Sequence, residues 1–337
     1  MATLVTGASG FVGSHLVEDL LARGTAVRAL VRHPAAVTGL RKRGVDVVVG
    51  DVRDPGALRD AVPGADVVYH CAAAVGPGYA KREIYETNLG GVRNVLEALR
   101  QAARGRLVFV STLNVLGTCN LDPADEDLPC RPSGDPAADV KIAAEELIRD
   151  YQRRHGVDAV IVRPGFIYGP RDRHNLPRLL RTVERGKFAY IGSRDNVVPV
   201  VHVRDVVQAL GLAAATSAAG GRVYHVTDGS RTTISELVNH LADLAGAPRP
   251  QKVLPYLVPY AGCLFFEWLA RLRLYRGPAP IARNSLRFLG TSRYVVIRRA
   301  RDELGYAPRI SYPEGVADTV RWMKEQAHGH VDVVVSS

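Results

Sequence analysis

The stretch that most limits what this chain can fold into is TGASGFVGSHL, residues 6–16, set between an apolar run, ATLVT, and an amphipathic one, FVGSHLVEDLLARG. Gly7, Gly10 and Gly13 recur at three-residue steps. A turn of this kind needs glycine for positive φ at its corner, for close approach of a ligand to bare backbone, and for tight packing of helix on strand. The helix that follows offers unpaired N–H groups and the positive end of its dipole. Strand, turn and helix in that order make a cradle for the pyrophosphate of a dinucleotide. The first strand is predicted to begin at about Ala2, so a cleavable leader is not expected.

The first half keeps the same rhythm. AVRALVR, DVVVGD, DVVYHCAA, RLVFVST and VDAVIVRP read as short Val-rich strands, with a helix through NLGGVRNVLEALRQA. Alternation of strands and helices predicts a parallel sheet, and unbroken apolar strands predict helices on both its faces. The fold class is α/β: a doubly wound Rossmann sheet with a smaller, mainly C-terminal substrate-binding lobe. The dinucleotide domain is expected over residues 1–164, with a return at about 197–227 where VVPVVH and RVYHVTDG read as strands. The lobe takes 165–196 and 228–327, leaving 328–337 as a flexible tail. Within the lobe, Thr233 and Glu236 have capping-box spacing, and YPEGVADTVRWMKEQ is predicted as the last helix with Pro313 in its first turn.

The 337 residues suffice for one large core or two lobes, and 47% hydrophobic with 23% charged residues is an ordinary globular balance. The net charge of +10 raises nucleic acid as a partner. Against it, only six of the 44 basic residues are lysines, and the arginines are scattered among Ala, Gly and Val, as a coding bias would leave them. No zinc-finger or aromatic-basic pattern accompanies them, so no nucleic-acid partner is expected. Cys71, Cys119, Cys130 and Cys263 show no CxxC pairing, which points to a reduced, cytoplasmic protein without a metal centre. The longest apolar run, residues 253–272, is interrupted by Pro255, Pro259, Glu267 and Arg271. It makes a poor membrane span, but suits a greasy pocket or peripheral contact with lipid.

Two positions bear on the dinucleotide. The second strand ends Leu30-Val31-Arg32-His33, without the acid that usually holds a ribose 2′-hydroxyl. A guanidinium at Arg32 suits a 2′-phosphate, favouring NADP with NAD as the alternative. Asp51 in GDVRD is placed to accept from the adenine amine.

Taken together, TGASGFVG, GDVRD, HCAA (70–73), NLGGVRN (88–94), VSTLNVLG (110–117), RPGFIYGP (163–170) and VHVRDV (201–206) make the chain resemble the extended short-chain dehydrogenase/reductases, the NAD(P)-dependent epimerase/dehydratase family, over about residues 2–327. The resemblance implies an NAD(P)-dependent enzyme whose cofactor is held by Gly7, Ser9, Gly10, Phe11, Val12 and Gly13. Around them it places Arg32, Asp51, Val52, Cys71, Ala72 and Ala73, and at the nicotinamide end Pro164, Phe166 and Lys141. Thr112, five residues before Gly117, falls where the family has its catalytic Ser or Thr. Lys141 matches the lysine of the family's Tyr-x-x-x-Lys motif. A homodimer through helices around 83–103 and 139–154 is a further family expectation.

The motif has a gap. Hydride transfer at a carbon requires a proton at its oxygen, and a phenol supplies one when a nearby ammonium brings its pKa toward neutrality. In this chain the tyrosine position is Ala137. No tyrosine lies between Tyr85 and Tyr151, and Tyr151 is nearly three helical turns beyond Lys141; Tyr79 and Tyr168 remain as groups that only the fold could bring in from elsewhere. Three accounts stay open. The alanine is an introduced, inactivating replacement; the natural enzyme lacks the tyrosine and performs a non-redox elimination or cyclisation; or the protein binds NADP without turnover.

The segment IARNSLRFLGTSRYVVIRRARDELGYAPRISYPEGVADTVRW resembles the 3β-hydroxysteroid dehydrogenase and dihydroflavonol-reductase-like branch. That implies oxidoreduction between a secondary alcohol and a ketone on a hydrophobic small molecule, such as a steroid, polyketide or flavonoid. The alternative is a nucleotide-sugar epimerase or dehydratase, for which Arg178, Arg194 and Arg283 are the candidate diphosphate clamp.

Overall fold

In the computed structural model, residues 2–32, 38–76, 78–117, 119–271, 286 and 289–334 are described. Seven parallel strands form the central sheet. In chain order these are β1 (Ala2–Thr6), β2 (Ala26–Val31), β3 (Asp46–Val49), β4 (Val67–His70), β5 (Arg106–Val110), β7 (Ala159–Pro164) and β11 (Val223–Val226), with β6 (Leu121–Ala124) outside the sheet. Their spatial order is β11-β7-β5-β4-β1-β2-β3. The chain therefore winds one way from β1 through β3, then returns to β4 and winds the other way. The reversal opens a crevice at the carboxyl ends of β1 and β4, where doubly wound sheets take their ligands.

Helices cover both faces, as the unbroken apolar strands require. On one side α1 (Phe11–Ala22) and α8 (Val203–Ala215) bury Leu16, Leu20, Val206 and Leu210 against Val5, Val108 and Val160. On the other, α3 (Pro55–Ala61), α5 (Gly91–Ala102) and α6 (Pro136–His155) bury Leu58, Val95, Leu99, Ala144 and Ile148 against Leu4, Val68 and Phe109. Burial at both faces explains why these strands are Val-rich throughout rather than alternating.

The lobe has its own core of Tyr168, Leu176, Leu180, Val200, Leu237, Leu241, Val316 and Val320. It joins β8 (Phe166–Tyr168), β10 (Val200–His202), α7 (Asn175–Glu184), α9 (Ile234–Ala245) and the final helix. Of the two predicted returning strands, only β11 enters the main sheet; β10 pairs with β8 in a separate two-stranded ladder. The capping box of Thr233 and Glu236 forms as expected. The final helix begins at Tyr312 and runs to Val334, beyond the residue-327 boundary that the sequence suggested. Nothing after Gln326 stops it, since that stretch holds one glycine, Gly329, and no proline.

Candidate active site

The glycine turn is built as its spacing predicts. Gly7 has φ +70°, and a Cβ there would lie 2.6 Å from the Ala72 nitrogen, so this glycine lets the turn rest on the segment leaving β4. At Gly13 a Cβ would stand 2.2 Å from the Gly7 carbonyl oxygen, so helix and strand meet without room for a methyl. Gly10 caps α1 with no side-chain acceptor, and the first turn of α1 has no acid. The N–H groups of that turn are left to an anionic ligand. Ser9 is exposed in the turn, while Phe11 and Val12 are half-buried at its helical end. A cradle that a Cβ would fill, at a helix start without its own cap, fits a dinucleotide pyrophosphate.

Arg32 is exposed just beyond β2. Its charge is among those holding the Asp51 carboxylate below its usual pKa, behind the larger effect of Arg53. Arg53 donates to both Asp51 oxygens, at 3.0 and 2.8 Å, so this carboxylate is already engaged rather than open to an adenine amine alone. Val52 is buried against Gly91, where a Cβ would come within 2.9 Å of it.

Three strand ends carry the remaining candidates. From β4, Cys71, Ala72 and Ala73 pass beside Gly7. From β5, Val110 leads into Ser111 and Thr112. From β7, Pro164 leads to Gly165, whose N–H bonds the Val226 carbonyl at 3.0 Å. Phe166 instead packs toward the lobe core.

Thr112 caps a 3₁₀ turn, Leu113–Leu116, its Oγ accepting from the Asn114 N–H at 3.2 Å. A hydroxyl that accepts from the backbone keeps its own proton to donate. The neighbouring Ser111 hydroxyl is committed, donating to Glu145 Oε1 at 2.6 Å.

Helix α6 starts where two aspartates fix it. Asp135 accepts from the Ala137 N–H at 3.2 Å, and Asp139 takes the N–H groups of Ser133 and Gly134 at 2.7 and 2.9 Å. One turn on, Lys141 is buried and its ammonium donates to the Val110 carbonyl at 2.7 Å. It stands 4.3 Å from the centre of the Phe109 ring. Burial lowers its pKa to about 8, partly countered by Cys71 and Glu145. Lys141 and the Val110–Thr112 segment thus come together at the crevice, with Ala137 one helical turn before the lysine and carrying only a methyl.

Tyr168 does not fill that gap. It is fully buried in the lobe core, and its hydroxyl is close enough to Gly315 that a Cβ there would lie 2.9 Å from it. Tyr79 is exposed in the loop before the helix at Lys81.

Several supporting residues carried no assigned role in the sequence reading. Asn88, buried, clamps Ala74 by accepting from its N–H at 2.7 Å and donating to its carbonyl at 3.1 Å. This fixes the backbone just past Ala73. Glu145 receives Ser111 and a two-pronged contact from Arg163, at 2.9 and 2.6 Å. An acid four residues after Lys141 on the apolar stripe of a helix is the signal that finds it. The His70 ring nitrogen lies 3.0 Å from the Thr6 hydroxyl, tying the ends of β1 and β4, and burial lowers its pKa to about 3.

Residues 3–227 match the model of the NAD dependent epimerase/dehydratase family. The chain is 33% identical over 320 residues to a 4-hydroxy-2-methyl-3-oxo-4-farnesyl-3,4-dihydroquinoline-1-oxide ketoreductase of Stigmatella aurantiaca, covering 94% of this chain and 95% of that one. It is also 33% identical to sterol demethylase protein B of Methylococcus capsulatus, over 97% of this chain and 99% of the other. Among solved structures, a double mutant of a dTDP-glucose 4,6-dehydratase from Streptomyces venezuelae with NAD bound superposes with a TM-score of 0.77 at 28% identity, covering 96% of this chain and 97% of that one. With the glycine cradle at the sheet's reversal point and a buried lysine beside the β5 hydroxyls, these likenesses make the chain a member of the NAD dependent epimerase/dehydratase family, the extended short-chain dehydrogenase/reductase enzymes.

Proposed function

We propose that the protein is an NADP-preferring oxidoreductase that interconverts a secondary alcohol and a ketone on a hydrophobic small molecule. The carrying observation is Lys141, a buried ammonium held on the Val110 carbonyl beside Thr112. The nicotinamide dinucleotide supplies or takes the hydride. Gly7, Gly10 and Gly13 hold its pyrophosphate, and the exposed Arg32 pairs with a 2′-phosphate. Thr112, accepting from Asn114 N–H, would hydrogen-bond the substrate oxygen through its own O–H and polarise the carbonyl. Lys141 would hold the nicotinamide ribose, and its charge would favour ionisation of an acid set one turn earlier on α6. With alanine at 137, no side chain stands there to move the proton, so turnover is slow.

The hydrophobic substrate class is supported by two relatives whose names carry farnesyl and sterol groups. The nucleotide-sugar alternative draws on the dehydratase likeness. Its arginine clamp finds less support: Arg194 donates to the Gln251 side chain at 3.0 Å, Arg178 lies exposed on α7, and Arg283 falls outside the described residues. A homodimer through the outer faces of α5 and α6, which pack side by side, belongs to this reading, as does a reducing cytoplasm for four cysteines that form no disulfide among the described residues.

The test is NADPH oxidation against a panel of lipophilic ketones, for the chain as it stands and for Ala137→Tyr. The expected gain is about 10²–10⁴-fold, the usual worth of a positioned acid or base. An Ala137→Tyr protein that binds NADPH yet reduces no ketone faster than the parent sinks the reading. Unaided NADP binding in that case would leave a non-catalytic or non-redox scaffold.

A further inference from the structure

Helix α10 (Leu257–Arg271) is apolar on the side that faces away from the protein. Its inner face is seated normally: Cys263 is buried, and Tyr256 and Tyr260 pack with it against Ile191, Leu286 and Leu289. The outer face carries Leu257, Val258, Ala261, Leu264, Phe265 and Trp268, all exposed and spaced along one helical stripe. Leu257 is 75% exposed, and Phe265 and Trp268 are each 55% exposed. The Phe265 and Trp268 rings stack, with centres 6.3 Å apart. The stripe's described side chains carry no charge. An apolar helix face belongs in a core or against lipid, and this one lies outside the core.

Two observations select the occupant. A stripe about 22 Å long and about 10 Å wide offers about 200 Å², far below the ~800 Å² per partner of a stable protein interface, so a second copy held by this face alone is too weakly bound. The sequence flanking it is one-sided in charge: from 250 to 276 it has Lys252, Arg271, Arg273 and Arg276 against one acid, Glu267, while Arg249 is paired with Asp243. Lys252 is exposed immediately ahead of the helix. An apolar, aromatic stripe in a basic stretch of sequence is the composition of a helix lying in a membrane interface. No helix among the described residues is long and apolar enough to cross a membrane, so the contact is peripheral.

We propose that α10 docks the protein on an anionic lipid surface, lying in the plane of the interface with Phe265 and Trp268 in the boundary between headgroups and acyl chains. The proposal does not depend on the reaction assigned to Thr112 and Lys141, because a vesicle reports binding without chemistry. Its consequence for that reaction is a supply of lipophilic substrate at the lobe.

Co-sedimentation of the full chain with vesicles of phosphatidylcholine, and of phosphatidylcholine with 30% phosphatidylglycerol, tests it. Binding is expected to be at least tenfold tighter to the anionic vesicles and to weaken as salt is raised. The variant Phe265→Ser/Trp268→Ser, with the parent's circular dichroism and melting temperature, is expected to lose at least tenfold. Should that variant misfold, quenching by bromolipids in Trp322→Phe, where Trp268 is the remaining tryptophan, reads insertion directly. Absence of binding, absence of quenching or full binding by the folded double variant overturns the proposal. Equal binding to both vesicles overturns its anionic part. A dimer in solution that the double variant converts to monomer assigns the face to a second copy instead.

Discussion

Burial sets two opposing demands on Lys141. Its pKa is lowered from 10.5 to about 8, a desolvation cost of roughly 3 kcal/mol at neutral pH. The unfolded chain keeps this proton to about pH 10.5 and the folded chain only to about pH 8, so between those values the unfolded state binds more protons and stability rises with pH. Lys141→Met removes the cation and keeps most of the volume. It is expected to raise stability by about 1–3 kcal/mol below pH 8, with the advantage fading toward pH 10.5. Ketone reduction by Ala137→Tyr is expected to collapse when the same change is added. Melting curves across pH 6 to 10.5 check the first part; a lysine that stabilises the fold at pH 7 would refute it. Glu145 and Arg163 present the reverse case, because each neutralises the other while 0% and 1% exposed. Arg163→Met leaves the buried carboxylate with only Ser111 and the more exposed Arg149, and is expected to cost about 3–5 kcal/mol, whereas Arg163→Met with Glu145→Leu costs much less. Equal losses in denaturant unfolding would show that the pair's charge coupling is unimportant.

At the level of elements, the β1–turn–α1 unit is the most demanding. Gly13→Ala places a methyl 2.2 Å from the Gly7 carbonyl oxygen, and backbone on both sides must move. NADPH affinity is expected to fall at least tenfold, with a stability loss of about 1–3 kcal/mol; unchanged affinity by fluorescence titration would count against the cradle. This unit was fully legible in the sequence because its spacing and its context are both local. The Val-rich strands and α6, with Asp135 and Pro136 at its start, were legible for the same reason. What stayed hidden depends on contacts distant in sequence. Asn88 is fourteen residues from the Ala74 backbone it clamps, and Ser111 is thirty-four from Glu145. The partner of β10 was misjudged because three-residue strands look alike whichever ladder they join. Tyr168 stays open in the sequence as a group that only the fold could bring in, but successive side chains of β8 point to opposite sides, and this one faces the last helix.

Across the whole molecule, the Arg293 side chain connects the lobe to the turn that carries Thr112. Arg293 opens β13 (Arg293–Val295), which pairs with β6 and whose first N–H bonds the Val197 carbonyl at 2.9 Å. Its buried guanidinium donates to the Leu113 carbonyl at 2.7 Å and to Asn114 Oδ1 at 2.9 Å. Asn114 in turn donates its N–H to the Thr112 hydroxyl. Burial lowers the arginine's pKa only to about 10, so it is cationic at neutral pH and its fork stays intact. The orientation of Thr112 is therefore set from the lobe as well as from β5. Arg293→Met leaves two acceptors unpaired and is expected to cost about 1–3 kcal/mol. On the Ala137→Tyr background it is expected to lower kcat at least tenfold while leaving NADPH affinity unchanged, because the glycine cradle makes no contact through this chain of bonds. Arg293→Lys keeps the charge but reaches one acceptor, so partial recovery of kcat is expected. A parallel fall in NADPH affinity would mean that Arg293 merely supports the fold as a whole, and an unaltered kcat would show that Thr112 is held without the lobe.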